Sequence, residues 1–519
     1  MSQPLEQNPF HIQHHAVAAP QQSAFVVAET GDCVTYCDLA QQSRRAAAML
    51  RSLGLGPGRH LALLLGNEPP FLEICWAARQ IGANYTPVSV NLQAREAASI
   101  IDDSDAEVLI VSGDRAGFAL ELLQYLRRSP QILIVGGSPG TFESYEAKRD
   151  LFEPDPTLAP AQGMDMLYSG GTTGRPKAIM RELPPAPVGT PTRAEHAMIE
   201  RFNIGPGTVH LCTVPLYHAL GLRLCMLVQS LGGTCVVMKR FDPELALRAI
   251  ETYRCTHSVW VPTMFVRLQK LSPDSRRRYD LTSLQLALHA AAPCPVIIKE
   301  QMIDWWGPIL TEFLASTEEA GYHMITSREW LAYKGSVGRC YTAQVHILDE
   351  FGSELPTGEP GIVYYENGPQ FSYRDAPDKT AETIGPHGWR TVGDVGYLDC
   401  DGYLYVTGRR GLTINTGGVK VHPREVEDHL VLHPKVSDVA VIGVPHHEYG
   451  EAVTAIVQPV DMALANETLS SELMDWCRAA LSSVKCPKRI VFEPHLPRDA
   501  NGKLYRRELA DRYGSKVMP

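Results

Sequence analysis

The sequence lacks the features that would place the chain in a membrane or outside the cell. No apolar run reaches the roughly 18 residues that a membrane-spanning helix needs, and the opening residues, MSQPLEQNPF, contain no basic stretch followed by an apolar one. The twelve cysteines are scattered, with no Cys-x-x-Cys pair and mostly apolar neighbours. We therefore expect a cytoplasmic protein with no membrane span, whose cysteines are reduced and lie in the core.

Long blocks of like charge, internal repeats and low-complexity segments are absent too. The net charge is −10 at pH 7, and it is spread along the chain. This distribution argues against nucleic acid or an anionic membrane as the main partner. What is present is a chain of 519 residues, of which 44% are apolar, and this is enough for large cores in more than one domain.

Short apolar runs alternate with longer amphipathic ones over most of the chain. Strand-like HLALLLG and EVLIVS flank helix-like PPFLEICWAARQIGA, and the alternation resumes with TVHLCTVPL, GLRLCMLVQSLG and GTCVVM. This pattern predicts βαβ units with largely parallel sheets. Between about residues 335 and 408, short β runs broken by turns predict a small antiparallel sheet or barrel, and a separate α+β unit follows.

The stretch YSGGTTGRPKAI, residues 168–179, has the composition of a phosphate-binding loop. Its glycines let backbone N–H groups approach an anion, its hydroxyls add donors, and Lys177 adds a positive charge. It is not a Walker A loop, because Arg175 and Pro176 separate the last glycine from the lysine. The stretch therefore argues against a P-loop NTPase, although taken alone it is equally compatible with a flexible loop that carries one solvated lysine.

Five further stretches give this loop a context. They are PLYHALGL (215–222), TEFLASTEEAG (311–321), RTVGDVGYLD (390–399), TGRRGLTINTGGVKVHPREVE (407–427) and LPRDANGKLYRREL (496–509). In order and spacing they resemble the motifs of the adenylate-forming acyl-CoA synthetase superfamily, and the resemblance covers nearly the whole chain. It implies a large N-terminal domain (1–408) of two βαβ-type sheets plus a distorted β-barrel. A small, mobile α+β domain (409–519) would follow, with the active site between the two.

The resemblance also implies a set of residues for ATP binding and adenylation. It assigns the β- and γ-phosphates to the loop, the α-phosphate to Thr317, and magnesium, a hard cation that prefers carboxylate oxygen, to Glu318. Lys503 would bridge the carboxylate and the α-phosphate, and Asp394 would accept hydrogen bonds from the ribose. The full nucleotide set is Ser169, Gly170, Gly171, Thr172, Thr173, Gly174, Lys177, Ala291, Ala292, Pro293, Leu314, Ala315, Asp394 and Arg409.

For the second step, the resemblance implies that the small domain rotates and delivers the thiol of CoA. Gly411 would lie at the hinge, and Gly417 and Gly418 would permit close approach of the pantetheine. His218 would lie between acid pocket and thiol tunnel, although taken alone it is equally compatible with a core position. The predicted acid pocket is apolar, which disfavours an amino-acid substrate, and it comprises Tyr217, Trp260, Val261, Thr263 and Met264.

Four positions depart from the superfamily pattern. Ala178 follows the loop lysine where glycine is usual, Leu314 and Ala315 replace an aromatic residue and a glycine beneath adenine, and Gly411 replaces a charged hinge residue. The leading hypothesis is an acyl-CoA ligase that uses ATP, magnesium and CoA on an apolar, bulky carboxylic acid. The alternatives are a thioester-forming specialist that takes supplied acyl-AMP, a carrier-protein-loading enzyme and a catalytically silent nucleotide-binding regulator. The residues leave the acid and the oligomeric state open, a homodimer included.

Overall fold

The computed structural model describes residues 5–137, 140–169, 177–181, 185–498, 502 and 504–514. Within these ranges no helix is long and apolar enough to cross a membrane. All twelve cysteines are free, and most are buried as predicted. The prediction of a core position is wrong for Cys33, Cys37 and Cys400, which are exposed. Cys33 lies on an edge strand, Cys37 in the first turn of a helix and Cys400 in a surface turn, and each of these positions faces solvent.

Residues 5–165 contain a parallel sheet covered by helices, together with two N-terminal strands that join the next sheet. The strands are β1 (Ser23–Val27), β2 (Cys33–Thr35), β3 (His60–Leu64), β4 (Asn84–Pro87), β5 (Val108–Ser112), β6 (Gln131–Val135) and β7 (Glu143–Ser144), and the helices are α1 (Ile12–Ala18), α2 (Tyr36–Ser52), α3 (Pro69–Ile81), α4 (Ala94–Asp103), α5 (Ala116–Leu122) and α6 (Tyr145–Arg149). The sheet has the order β4-β3-β5-β6-β7, with every pair parallel. All of β5 is buried, as parallel strands with covered faces require, and the βαβ prediction is confirmed.

Residues 168–340 add a second and larger sheet. The strands are β8 (Tyr168–Ser169), β9 (Lys177–Arg181), β10 (Val209–Cys212), β11 (Thr234–Val237), β12 (His257–Trp260), β13 (Leu286–His289), β14 (Leu310–Leu314), β15 (His323–Thr326) and β16 (Arg339–Cys340), and the helices are α7 (Arg193–Phe202), α8 (Ala219–Ser230), α9 (Pro243–Tyr253), α10 (Pro262–Gln269), α11 (Pro273–Arg277), α12 (Val296–Trp306) and α13 (Ser327–Ala332). The order is β16-β15-β14-β13-β12-β10-β11-β1-β2, parallel from β14 to β1. The N-terminal strand β1 thus completes this sheet, with Phe25 opposite Cys235.

The next segment supplies the antiparallel part that the sequence predicts. It contains β17 (Gln344–Leu348), β18 (Gly361–Glu366), β19 (Phe371–Tyr373), β20 (Asp394–Leu398) and β21 (Leu404–Arg409), with α14 (Pro377–Ala381). One antiparallel sheet has the order β17-β18-β20-β21 and a second has the order β19-β9-β8. The second sheet places β19 beside the strands that enter and leave the glycine-rich loop.

The last segment forms an α+β unit with a core of its own. It contains β22 (Ile414–Thr416), β23 (Val419–Val421), β24 (Val436–His446), β25 (Gly450–Pro459) and β26 (Arg489–Phe492), with α15 (Pro423–Leu430), α16 (Glu467–Ala480) and α17 (Arg506–Tyr513). The sheet has the order β23-β22-β25-β24, and β26 pairs with β25. Short 3₁₀ turns lie at Leu5–Gln7, Gly113–Arg115 and Met462–Leu464. The α+β prediction is confirmed, and the boundary at residue 409 stays a prediction.

The small unit rests on the large one through specific polar contacts. The Arg424 guanidinium donates to the Val406 carbonyl at 2.8 Å, and the Lys270 ammonium donates to the Val436 carbonyl. Gly502 reaches helix α10, where a methyl group added to it would lie 3.0 Å from the Thr263 hydroxyl oxygen. The residue that precedes Lys503 therefore lies against the large domain.

Candidate active site

Strands β8 and β9 form the two sides of the predicted phosphate loop. In their antiparallel register Ser169 lies opposite Lys177 and Tyr168 opposite Ala178, so the two ends of the loop meet. The predicted phosphate ligands Gly170, Gly171, Thr172, Thr173 and Gly174 lie outside the described residues. Ala178 is buried, and its carbonyl accepts a hydrogen bond from the Arg374 N–H at 3.0 Å. The methyl group of Ala178, at a position where glycine is usual, is thus buried.

Tyr373 links the end of the phosphate loop to the acidic turn after β14. It lies on β19, opposite Ile179 of β9. The Nζ atom of Lys177 lies 5.0 Å from the centre of the Tyr373 ring, and the Tyr373 hydroxyl donates to Oε1 of Glu318 at 2.9 Å. A cation and a carboxylate are therefore held on one aromatic side chain. Sequence reasoning missed Tyr373, because only the pairing of β19 with β9 brings it here.

Burial governs the electrostatics of this cluster. The Glu318 side chain is 8% exposed, and Thr317 is half-buried beside it in the same turn. Burial, with a contribution from the charge of Lys379, lowers the pKa of Lys177. Burial and the neighbouring Glu318 carboxylate raise the pKa of Tyr373, so its hydroxyl remains a hydrogen-bond donor at neutral pH.

The donor set at Glu318 fits magnesium. Magnesium prefers carboxylate oxygen, and because Tyr373 bonds to Oε1, metal binding at Oε2 is compatible with the observed contact. A different group of possible metal ligands in the described part of the chain is His210, Cys212 and Cys225, whose ligand atoms lie within 4.8 Å of one another. Imidazole and thiols do not suit magnesium, so this buried trio is not the magnesium site.

Asp394 and Arg409 face each other across strands β20 and β21. The Nε atom of Arg409 donates to Oδ1 of Asp394 at 2.9 Å, and this carboxylate, more than any other neighbour, raises the pKa of Arg409. The ion pair fixes the orientation of the carboxylate, whose remaining lone pairs suit neighbouring sugar hydroxyls. The structure thus brings together two residues of the predicted nucleotide set, Asp394 for the ribose and Arg409 at the start of the predicted small domain.

The positions predicted to lie beneath adenine are aliphatic. Leu314 ends β14 and packs against the antiparallel sheets, whereas Ala315 packs against the large core. The predicted facing wall follows β13, where Ala291 and Pro293 are exposed and Ala292 is half-buried. Ala291 has a φ of 71°, in the left-handed region. The segment is therefore held in a strained backbone conformation next to the predicted pocket.

Tyr217, predicted for the acid pocket, and His218, predicted to lie between that pocket and the thiol tunnel, are neighbours just before helix α8. The rings of Tyr217 and His218 have centroids 4.8 Å apart, and the Asn91 amide donates to the Tyr217 hydroxyl at 3.2 Å. Thr263 lies at the start of α10, beside Gly502. An aromatic pair on one element and a hydroxyl on another are the side chains that the sequence predicts around the acid.

The other three predicted pocket residues are buried in the large domain. The indole N–H of Trp260 donates to the Ser258 hydroxyl at 2.7 Å, and its ring packs against Trp306 with a centroid distance of 5.2 Å. Val261 and Met264 are also buried. These contacts place Trp260 within an aromatic core cluster, and its role as an acid contact stays a prediction.

The small domain carries its predicted glycines in turns that require them. Gly411 has a φ of 80°, Gly417 of 56° and Gly418 of 80°, all in the left-handed region that favours glycine. The Gly417 N–H donates to the Tyr449 carbonyl at 2.9 Å, which ties the Gly417–Gly418 turn to the β24–β25 hairpin. Lys503 lies outside the described residues.

The protein has a large domain with two sheets and a small α+β domain. A lysine and a carboxylate lie beside a loop of phosphate-binding composition. This combination is typical of an adenylate-forming enzyme. Family comparison agrees: residues 12–372 match the AMP-binding enzyme family, and residues 425–503 match the AMP-binding enzyme C-terminal domain. The chain belongs to the AMP-binding enzyme family.

Its relatives include acyl-CoA ligases. A feruloyl-CoA synthase from Amycolatopsis sp is 32% identical over 501 residues, which cover 95% of this chain and 96% of that protein. A medium/long-chain-fatty-acid–CoA ligase from Mycobacterium tuberculosis is 31% identical, over 92% of this chain and 86% of that one. Among solved structures, the amide bond synthetase McbA from Marinactinospora thermotolerans has a TM-score of 0.80 and 26% identity, over 97% of this chain and 100% of that one.

Proposed function

We propose that this protein is an ATP- and CoA-dependent acyl-CoA ligase, which converts an apolar, bulky carboxylic acid into its CoA thioester through an acyl-AMP intermediate. The observation that carries the proposal is the convergence of Lys177 and Glu318 on Tyr373. It supplies a cation for phosphate oxygens and a carboxylate for magnesium next to the same loop. The relatives that form CoA thioesters support the choice of thiol.

In the first half-reaction the acid carboxylate attacks the α-phosphate of ATP, and pyrophosphate leaves. Lys177 would hold the β- and γ-phosphates, Thr317 the α-phosphate, and Asp394 the ribose hydroxyls. Magnesium, bound through Glu318, would neutralise phosphate charge. Lys503 would donate to the reacting carboxylate and the α-phosphate, since Gly502 holds its segment against the large domain.

In the second half-reaction the CoA thiol attacks the acyl carbonyl, and AMP leaves. Gly411 would be the pivot for the small domain, and the turn of Gly417 and Gly418 would face the pantetheine. His218, at the start of α8, would lie between acid and thiol. The two steps share one pocket for the acyl group, so the small domain and not the acid would move between them.

The acid is expected to be apolar because Val261, Met264 and Tyr217 contribute no charge to the predicted pocket. An aryl acid is the first choice, because the 32% identical relative is a feruloyl-CoA synthase. Medium- and long-chain acids come next, on the similarity to the fatty-acid ligase. A cytoplasmic location suits this use of ATP and CoA.

A second candidate is a ligase specialised for thioester formation from acyl-AMP that is made elsewhere. The observation that favours it is the aliphatic pair Leu314 and Ala315 at the predicted adenine platform, which offers no aromatic face for stacking. Adenylation would suffer selectively, because the second half-reaction begins with acyl-AMP already bound.

The test is to incubate the purified protein with ATP, magnesium, CoA and a panel of hydroxycinnamic, polycyclic and fatty acids, and to identify products by mass. A CoA thioester that depends on ATP supports the leading proposal. A thioester formed only from synthetic acyl-AMP supports the specialist. Replacing CoA with a simple amine tests amide formation, and loading of an acyl-carrier protein tests that alternative. No product in any arm would contradict an enzymatic function and favour a silent nucleotide-binding regulator.

A further inference from the structure

Four largely buried charged side chains form a closed ring beside the phosphate-loop hairpin. Arg181 donates to Asp165 at 2.7 Å and to Glu319 at 3.0 Å. Arg223 donates to the other oxygen of Asp165 at 2.8 Å and to Glu319 at 2.6 Å. The four side chains, which are 8% to 21% exposed, are here called the ion ring. Each arginine therefore bridges both carboxylates, and the ring carries no net charge.

The members of the ion ring come from the parts of the chain that must meet around ATP. Arg181 is the last residue of β9, and in the continued register of the β8–β9 hairpin it lies opposite Asp165. Glu319 is the immediate neighbour of Glu318 in the turn after β14. Arg223 belongs to α8, the helix that begins directly after His218. The ion ring thus connects strand β9, which leaves the phosphate loop, with the turn that contains Glu318 and with the helix that follows His218.

Stability alone does not account for such a ring. Buried ion pairs are often no more stabilising than apolar side chains of the same volume, because removing charges from water is costly. Glu319 is moreover held at a φ of 61°, in the left-handed region that residues other than glycine rarely adopt. The two arginines that bind the Glu319 carboxylate explain why this conformation persists. The same backbone conformation orients the adjoining Glu318.

Contacts within the ring favour the charged forms of Asp165 and Arg223. Burial alone would raise the pKa of Asp165, but the guanidinium groups of Arg181 and Arg223 outweigh burial and lower it. Burial works against the charge of Arg223, and the Asp165 and Glu319 carboxylates nevertheless raise its pKa. Both shifts favour the ionised side chains that the observed contacts between Asp165 and Arg223 require.

We propose that Arg181 and Arg223 are positioning residues, which set the distance between Lys177 and Glu318 and thereby the binding of magnesium and ATP. The proposal rests on the proposed use of ATP. Arg181 acts through β9, whose first residue is Lys177, and both arginines act through Glu319, whose neighbour is Glu318. Neither arginine needs to touch ATP.

The experiment compares Arg223→Met and Arg223→Lys with the unchanged protein. ATP binding is measured by calorimetry over a series of magnesium concentrations, without any acid. Arg223→Met should weaken ATP binding in the presence of magnesium at least tenfold and raise the magnesium concentration needed for half-maximal binding. Arg223→Lys, which keeps a charge, should recover part of the loss. Thioester formation from supplied acyl-AMP should change less than twofold.

A matched control separates positioning from stability. Arg149 and Glu73 form another buried ion pair, at 3.0 Å and with side chains 9% and 4% exposed, between helices α6 and α3. Arg149→Met should lower the unfolding temperature without changing the affinity for ATP or its magnesium dependence. If Arg223→Met does not fold, Glu319→Gln, which keeps the side-chain volume, carries the same test.

The proposal is overturned if Arg223→Met or its substitute binds ATP and magnesium like the unchanged protein, or if Arg149→Met weakens binding as much. Because the binding measurement needs no acid, failure to find the acid substrate leaves this result intact. If the unchanged protein did not bind ATP, that result would instead contradict the proposed function itself.

Discussion

Gly502 and Thr263 mark the point where the small domain meets the predicted active site. A methyl group built on Gly502 would lie 3.0 Å from the Thr263 hydroxyl oxygen, and Gly502 has a φ of 76°. Both the contact and the left-handed backbone disfavour any residue with a side chain here. A substitution at Gly502 therefore tests whether the observed orientation of the small domain is the one used for adenylation.

Gly502→Ala should slow ATP-dependent adenylation and spare thioester formation from supplied acyl-AMP. Left-handed backbone costs a residue other than glycine about 1–2 kcal/mol, which corresponds to a factor of roughly 5 to 30 in rate. The measurement is pre-steady-state formation of acyl-AMP. Gly402→Ala is the matched control, because Gly402 has a φ of 78° in a large-domain turn with no atom within 4 Å of the added methyl group. An equal slowing in both variants would refute the interpretation.

Lys503→Ala should slow adenylation by about 10² to 10³, or roughly 3–4 kcal/mol of transition-state stabilisation. The reason is the loss of one charge-assisted hydrogen bond to the reacting groups. Thioester formation from synthetic acyl-AMP should be unaffected. Arg507→Ala, which removes a charge from the exposed face of α17, is the control and should leave both steps unchanged. An equal loss in both half-reactions of Lys503→Ala would exclude the assigned role.

Gly411→Pro should uncouple the two half-reactions. Proline fixes φ near −65°, whereas Gly411 has a φ of 80°, so the variant cannot adopt the observed backbone and the exchange between orientations should be blocked. Rates of both steps are measured separately. Gly58→Pro, at a φ of 76° in an open large-domain loop, controls for the general cost of proline. Unchanged rates in Gly411→Pro would show that the pivot lies elsewhere.

Leu314→Tyr combined with Ala315→Gly should increase ATP-dependent product formation. An aromatic partner for adenine contributes about 1 kcal/mol, a factor of roughly five. The unchanged protein should adenylate detectably and work faster with supplied acyl-AMP. Matched rates from ATP and from acyl-AMP in the unchanged protein would mean that the aliphatic platform is neutral and that the ordinary two-step ligase describes the enzyme.

Local sequence patterns were sufficient for the elements of the fold, because each depends on periodicity and end signals that lie within a few residues. Helix α3, for example, begins at Pro69 and ends at Ile81, directly before the left-handed Gly82. The pairing of β1 with β11 could not be predicted, since nothing near Phe25 specifies a partner so far along the chain. The prediction that Cys33 and Cys400 lie in the core was wrong for the same reason, because the burial of a side chain depends on the whole fold.

The candidate site was predicted to the extent that its residues lie in recognisable motifs. Asp394 and Arg409 form an ion pair, and Glu318 lies buried beside the lysine of the loop. Tyr373 and the ion ring were missed, because FSYRD carries no functional signal and because Arg223 joins Asp165 only in three dimensions. What motifs omit are the side chains that hold motif residues in place.

The pairing of β1 with β11 also has a consequence for how the protein is made on the ribosome. Strand β1 leaves the exit tunnel early, yet its neighbour Cys235 must still be translated before Phe25 can pair with it. At about 5–20 residues per second, this wait lasts roughly ten to forty seconds. During that time the apolar segment SAFVV can pair only with the three-residue strand β2 and its other edge has no partner, so the nascent chain is most open to chaperone capture or aggregation before the central sheet closes.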